Sequence, residues 1–236
     1  MPLPRRRHVT AHVARSALID VGQDDPMRRA GETPAERQRR IWDKSASSYD
    51  GQMDLVERLL SSGDREWVGE RATGRVLEVA IGTGRSLPFY TAATSLTGVD
   101  LSPEMLALAR RRAQARGLPV DLREGDAEAL PVDDATYDTV VCSLSLCTIP
   151  DPVAAVAEMK RALVPAGRLL LVDHVASSWP PVYAVQWLAE RVSIRVAGEH
   201  YTRRSLPLVE AAGFEVVEDV RRKAGVLERI HAVKAD

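Results

Sequence analysis

The feature that most constrains this chain is a short apolar strand running straight into a glycine turn. Val76-Leu77-Glu78-Val79 is followed at once by Ala80-Ile81-Gly82-Thr83-Gly84, and helical sequence resumes beyond it. Gly82 and Gly84 let the backbone approach a ligand, and a helix N-terminus after the turn helps to hold it. Such junctions belong to α/β folds whose ligands lie beyond the strand ends. A dinucleotide site fits poorly, because Leu87 stands where that motif needs its third glycine. Glu78 would also repel a pyrophosphate. It suits a cofactor with a cationic amino group and a sulfonium.

The rest of the chain alternates strand and helix. Strands are predicted at 75–79, 95–99, 120–123, 137–142 and 168–172. Helices are predicted near 85–91, from Ser102-Pro103-Glu104 through 116, and over 152–163, ending at a Pro165-Ala166-Gly167 turn. Leu106, Ala109 and Ala113 share one face of the second helix, opposite Arg110 and Arg111. This rhythm means βαβ units and a parallel sheet. A helix at 203–212 leads into strands at 214–220 and 226–233. Their short connection makes a hairpin, with an antiparallel strand at or near the sheet edge. Upstream, Thr33-Pro34-Ala35-Glu36 forms a capping box that starts a helix through Ile41 and Trp42. A polar stretch at 45–50 and helical turns at 52–60 and 64–71 follow. Residues 1–33, broken by prolines and Gly22-Gln23-Asp24-Asp25, are expected to be a flexible tail, leaving 34–236 as one domain.

Two further strand ends carry acids suited to a nucleoside. Asp100, in Thr97-Gly98-Val99-Asp100, can accept both hydroxyls of a ribose. Asp126, in Gly125-Asp126-Ala127-Glu128-Ala129-Leu130-Pro131, can accept from an adenine amino group. The series 78–84, 98–103, 125–131, 140–150 and 165–173 resembles the class I S-adenosylmethionine-dependent methyltransferases of the ubiquinone-biosynthesis type, across residues 40–236. The resemblance implies a doubly wound α/β fold, Rossmann-like, whose seven-stranded, mostly parallel sheet ends in an antiparallel strand under an N-terminal helical lid. It implies S-adenosyl-L-methionine as cofactor. Glu78, Ala80, Gly82, Thr83 and Gly84 would hold the methionine end, and Asp100 the ribose, with Leu101 and Met105 beside it. Gly125, Asp126 and Ala127 would hold the adenine, and Ser143 and Tyr49 complete the set. Ala80 departs from the family, which usually has glycine there. More loosely, Leu144-Ser145-Leu146-Cys147, Asp173-His174-Val175 and Gly198-Glu199-His200-Tyr201 are similar to bacterial phospholipid or quinone methyltransferases and to animal thiol methyltransferases.

For the acceptor, His174 follows the fifth strand and is a candidate general base, with a structural histidine as the alternative. Cys147 either lines the pocket or fills the core. Residues 176–202 are read as a substrate cover. Within it, Val182, Val185, Ala189, Val192 and Val196 form one apolar stripe and Tyr183, Trp187 and Ile194 a second. Tyr183 and Trp187 are the expected acceptor contacts, and the whole helix is expected to be buried on two sides or to bound a greasy pocket.

The formal net charge of −1 argues against nucleic acid. No apolar run is long enough to span a bilayer, although peripheral membrane contact stays open. The two cysteines and the lack of a secretory signal fit the cytoplasm. No metal is expected, because no His/Cys/Asp group has ligand spacing. The expected activity is methylation of a small lipophilic acceptor: a thiol, a phenol or quinol, or a lipid amine. A noncatalytic protein binding S-adenosylmethionine or S-adenosylhomocysteine is the alternative, and a nicotinamide oxidoreductase a distant third.

Overall fold

Among the described residues, strand–helix alternation gives seven strands: β1 (Gly74–Val79), β2 (Ala93–Asp100), β3 (Asp121–Glu124), β4 (Tyr137–Ser143), β5 (Leu163–His174), β6 (Phe214–Arg222) and β7 (Leu227–Lys234). The helices are α1 (Pro34–Val56), α2 (Asp64–Arg71), α3 (Pro103–Ala115), α4 (Pro152–Ala162), α5 (Pro180–Val196) and α6 (Leu206–Ala211). The computed structural model describes residues 29–56 and 63–235. Residues 1–28 of the tail expected at 1–33, and 57–60 of the helical turns expected at 52–60, therefore lie outside the described residues. No described helix is long and apolar enough to cross a membrane.

The strands form one sheet in the order β3-β2-β1-β4-β5-β7-β6. Pairing is parallel from β3 to β5, while β7 runs antiparallel to both β5 and β6. The predicted hairpin thus exists, with β6 at the edge and β7 one place in. Side-chain alternation builds two cores. Leu77, Val79, Val140, Cys142, Leu169 and Leu171 pack with Met159 and Val209 from α4 and α6. Val76, Val141, Leu170 and Val172 point the other way, toward Trp67, Val68 and Leu106 of α2 and α3. A sheet covered on both faces needs near-continuous apolar strands, which β4 and β5 supply. The strand order reverses between β1 and β4, so the crevice beyond their carboxyl ends is the natural ligand site.

Three local expectations change. α1 is one continuous helix of 23 residues that runs through the polar stretch at 45–50. The serine hydroxyls are satisfied within it, Ser45 Oγ donating to Ile41 O at 2.8 Å and Ser48 Oγ to Ser45 O at 3.2 Å. Its start is as expected, since Glu36 N donates to Thr33 Oγ1 and Thr33 N to Glu36 Oε2. The helix near 85–91 shrinks to a single 3₁₀ turn, Leu87–Phe89. Pro88 lacks the amide donor that a longer helix would need there. The turn at 165–167 becomes a bulge inside β5: Leu163 pairs with Tyr137 and Arg168 with Thr139, while Ala166 sits at φ +57°.

Candidate active site

The glycine turn after β1 is held by the acid that ends β2. Asp100 Oδ2 accepts from Gly82 N at 2.7 Å, and Oδ1 accepts from Ser102 N at 2.9 Å. Ser102 Oγ in turn caps α3 by accepting from Met105 N at 3.1 Å. The buried Met105 therefore serves the cap and the core, next to the half-buried Leu101. Burial raises the Asp100 pKa to about 6, against the backbone donors of Ser102 and Gly82.

Gly82 and Gly84 play different parts. A Cβ on Gly82 would meet nothing within 4 Å, whereas one on Gly84 would strike Leu87 Cδ1 at 2.7 Å. Gly82 thus borders open space at the crevice, and Gly84 is small for packing. Ala80 adopts φ +54°, a left-handed conformation that costs an alanine about 1–2 kcal/mol and a glycine little.

Glu78 is 2% exposed, and its Oε2 has no hydrogen-bond partner. Burial lifts its pKa to about 7, opposed by Ser86 and the Arg65 guanidinium. Ser143, the last residue of β4, also has a buried Oγ with no partner. An unsatisfied buried polar atom costs about 1–3 kcal/mol. Two of them near adjacent strand ends, with open space at Gly82 after β1, fit a ligand that brings polar atoms to them. After β3, Gly125 N donates to Asp100 O at 3.0 Å, and Asp126 Oδ1 accepts from Glu128 N at 2.9 Å. Ala127 packs at the edge of the core beside them.

At the next strand end the fold assembles a trio that sequence spacing hides. Cys147, Asp173 and His174 bring one thiol, one carboxylate and one imidazole atom within 4.8 Å of one another. The absence of ligand spacing in the sequence thus did not exclude such a cluster. Asp173, 1% exposed, accepts from Cys147 N and from His174 N, each at 2.7 Å. Burial pushes the Cys147 thiol far above its ordinary range, and the Asp173 charge adds to that, so the sulfur stays protonated. His174 Nε2 is buried without a partner.

Comparison with known proteins decides the family. A methyltransferase-domain model matches residues 77–171. The chain is 39% identical over 167 residues to the demethylmenaquinone methyltransferase of Thermus thermophilus, covering 66% of this chain and 70% of that enzyme. The chain belongs to the S-adenosylmethionine-dependent methyltransferases. It is also 44% identical over 115 residues to the phosphatidylethanolamine N-methyltransferase of Cereibacter sphaeroides, which spans 48% of this chain and 57% of that one. In fold it is similar to a methyltransferase from Thermotoga maritima, with a TM-score of 0.66 at 23% identity over 83% of this chain and 99% of that one. The cyclase SpnF shares the fold too, at a TM-score of 0.62 and 22% identity, over 72% of this chain and 80% of that one. Fold alone therefore does not fix the reaction.

Helix α1 of the methyltransferase is tied to the rest of the fold along its length, Arg39 pairing with Glu124 at 2.8 Å and Asp54 with Arg85 at 2.8 Å besides the contacts that follow. Asp50 of α1 accepts from Thr83 Oγ1 at 2.7 Å and pairs with Arg112 and Arg85, which fastens the helix to the glycine turn. Asp43 accepts from Ser102 Oγ at 2.6 Å. Arg37 NH2 donates to Ile194 O and Arg195 O, and Gln38 Nε2 to Ala197 O. These last bonds satisfy carbonyls at the C-terminal end of α5, where a cation is also favoured by the helix dipole. Tyr49 lies half-buried on the same helix, edge-on to Trp42 at 5.9 Å. Sequence reasoning passed over Arg37, Gln38, Asp43 and Asp50, because their partners Ile194, Ala197, Ser102 and Thr83 lie 157, 159, 59 and 33 residues away along the chain.

The cover helix is oriented opposite to expectation. None of its residues is buried. Gln186 accepts from Ser177 N and donates to Val175 O and Tyr201 O, and Glu190 accepts from Thr202 N. The polar line faces the protein, and most of the apolar side chains face outward, with Val182 and Ile194 half-buried. Tyr183 is 42% and Trp187 49% exposed, with the Arg191 guanidinium 3.2 Å over the Trp187 ring. With no residue of the helix buried, the expectation of burial on two sides is overturned. The segment after α5 does reach the trio: His200 N donates to Cys147 O, and Arg203 NH1 to Leu146 O and Ile149 O.

Proposed function

We propose that this methyltransferase acts on a lipophilic acceptor with an acidic X–H group, a quinol, phenol or thiol, and that His174 takes the acceptor's proton. The observation behind this is the buried, unpartnered Nε2 of His174 at the end of β5, beside a thiol held protonated and a carboxylate engaged by two amides. Of the three groups, the imidazole is the one whose buried ring nitrogen has no partner, the thiol being held protonated and the carboxylate taken by two amides. The similarity to a demethylmenaquinone methyltransferase supports a quinol acceptor.

Glu78 would hold the amino group of S-adenosylmethionine, Asp100 the ribose and Asp126 the adenine, while the open face at Gly82 admits the ligand against backbone. When bound, the cofactor supplies a methyl group on a sulfonium. The protein's own part is to align the acceptor, exclude water under α1 and the 197–203 segment, and accept a proton at Nε2. An amine acceptor needs no such base once it arrives neutral. The similarity to a phosphatidylethanolamine methyltransferase makes an amine the natural rival.

The test is a product assay with a quinol, an alkyl thiol and an ethanolamine lipid, using the wild type and His174→Ala. The quinol or thiol should be methylated, and the variant should lose about 10²–10⁴-fold in rate near neutral pH. Preferential methylation of the ethanolamine lipid, or an unchanged pH–rate profile in the variant, would overturn the assignment. Tight cofactor binding with no methylated product from any of the three would favour a noncatalytic binder.

A further inference from the structure

The outward face of α5 presents two adjoining stripes. Trp179, Tyr183, Trp187, Arg191 and Arg195 recur every fourth residue, and Val185, Leu188, Val192 and Val196 run beside them. Exposure is 57% at Trp179, 69% at Val185, 64% at Leu188, 63% at Val192 and 62% at Val196. Large apolar side chains clustered this way mark an interaction surface. The helix does not need them for docking, because Gln186, Glu190 and Ser193 already anchor it through polar bonds.

We infer that α5 is a membrane-docking helix that lays this face into an anionic lipid surface. Charge and composition both choose the occupant. The exposed positions of α5 carry two cations, Arg191 and Arg195, and no acid, since Glu190, the helix's one carboxylate, is turned inward onto Thr202 N. A second copy of the chain, meeting this face with its own, would set arginine near arginine with no carboxylate on the face to balance it. Anionic headgroups balance both. Tryptophan and tyrosine favour the boundary between headgroups and acyl chains, where one end is apolar and the other wet. Stacking Arg191 on Trp187 lets the cation ride with the ring to that depth. A helix held from behind by polar anchors and greasy in front lies in the interface rather than across it. This surface does not depend on which acceptor is methylated.

The experiment is co-sedimentation of the full chain with vesicles of phosphatidylcholine alone or mixed with phosphatidylglycerol. Binding should favour the anionic vesicles, weaken with added salt, and shift Trp emission to shorter wavelength. Arg191→Gln and Arg195→Gln should each weaken anionic-vesicle binding about fivefold, the effect of one juxtamembrane cation. Leu188→Asp with Val192→Asp should abolish binding at an unchanged melting temperature, because both side chains are exposed. The inference falls if the wild type stays in the supernatant with anionic vesicles. It falls equally if light scattering shows a dimer that the Asp pair dissociates. Loss of binding on deleting residues 1–28, with the Asp pair still bound, would also refute it.

Discussion

Replacing Glu78 by Gln should change how stability depends on pH. In the cofactor-free protein the Glu78 pKa rises from 4.5 to about 7, chiefly through burial. A carboxyl raised in the folded state favours folding while it is protonated. Its contribution is therefore complete below the unfolded value and is lost as pH climbs through the folded one. At about 1.4 kcal/mol per unit, the shift amounts to about 3 kcal/mol lost between pH ~4.5 and pH ~7. Glutamine stays neutral throughout and loses nothing in that window. Asp100, raised to about 6, remains in both proteins, so its own desolvation is common to the two curves. Urea denaturation of cofactor-free wild type and variant across this range should give curves whose separation changes by about 3 kcal/mol, with the variant gaining as pH rises. The constant offset between them carries no information; the slope does. Cofactor binding should show the reverse preference, because a cationic amino group beside Oε2 stabilises the ionised acid. Wild-type affinity should then rise with pH up to about 7 and release a proton, measurable by calorimetry in buffers of different ionisation enthalpy. Parallel denaturation curves for the two proteins would refute the burial argument, and a pH-independent cofactor affinity would refute the assignment of this acid.

The turn residues make a graded series. Ala80→Gly should stabilise the fold by about 1 kcal/mol, by relieving a left-handed alanine at φ +54°. Gly82→Ala should cost about as much through its φ of +57° and weaken cofactor binding, whereas Gly84→Ala adds a clash with Leu87 and should lose more stability. Thermal melts and cofactor titration separate the three, and equal effects of Gly82→Ala and Gly84→Ala on binding and melting would contradict the split. Asp50→Ala should free α1 from the glycine turn, speeding amide exchange in α1 about fivefold for a lost charge-assisted contact of about 1 kcal/mol, with sheet amides unchanged. Unaltered exchange in α1 would mean that its other ties, through Arg37, Gln38, Arg39, Asp43 and Asp54, suffice to hold it.

The sheet was legible because its signals are local. Val76 to Val79 and Leu169 to Val172 are apolar runs bounded by turn residues, and acids stand at the ends of β1 and β2. Asp100 shows the limit of that legibility. Its residue type suggested a ribose, but its bonds to Gly82 N and Ser102 N, which shape the loop around the site, depend on contacts across 18 residues in one direction and 2 in the other. The trio of Cys147, Asp173 and His174 was hidden for a similar reason, since Cys147 N and Asp173 Oδ2 meet across 26 residues. α5 misled in a more instructive way. Apolar periodicity locates a helix's inward face only when burial of apolar surface decides its orientation. Here the backbone groups of Ser177, Val175, Tyr201 and Thr202 needed partners, and Gln186 and Glu190 supplied them. α1 was read as broken because serines disfavour helix interiors, yet their hydroxyls found carbonyls of the same helix.

The place of β7 between β5 and β6 bears on how the chain is made. While residues 227–234 are still unsynthesised, β5 has a neighbour only on the β4 side, and the backbone from Arg168 to His174 forms an open edge. β6 cannot close that edge, because its partner is β7 alone. An unpaired strand rich in leucine is a template for joining other chains, so a stalled or truncated product should be the form most prone to aggregate. Escape is local and fast: β6 and β7 pair from Arg222–Leu227 outward around a tight turn of left-handed Lys223, Ala224 and Gly225. A hairpin of this kind forms in microseconds once both its strands exist. It can then dock on β5 in one event, so that on the ribosome the sheet stays incomplete through most of synthesis and closes only after its final strand emerges.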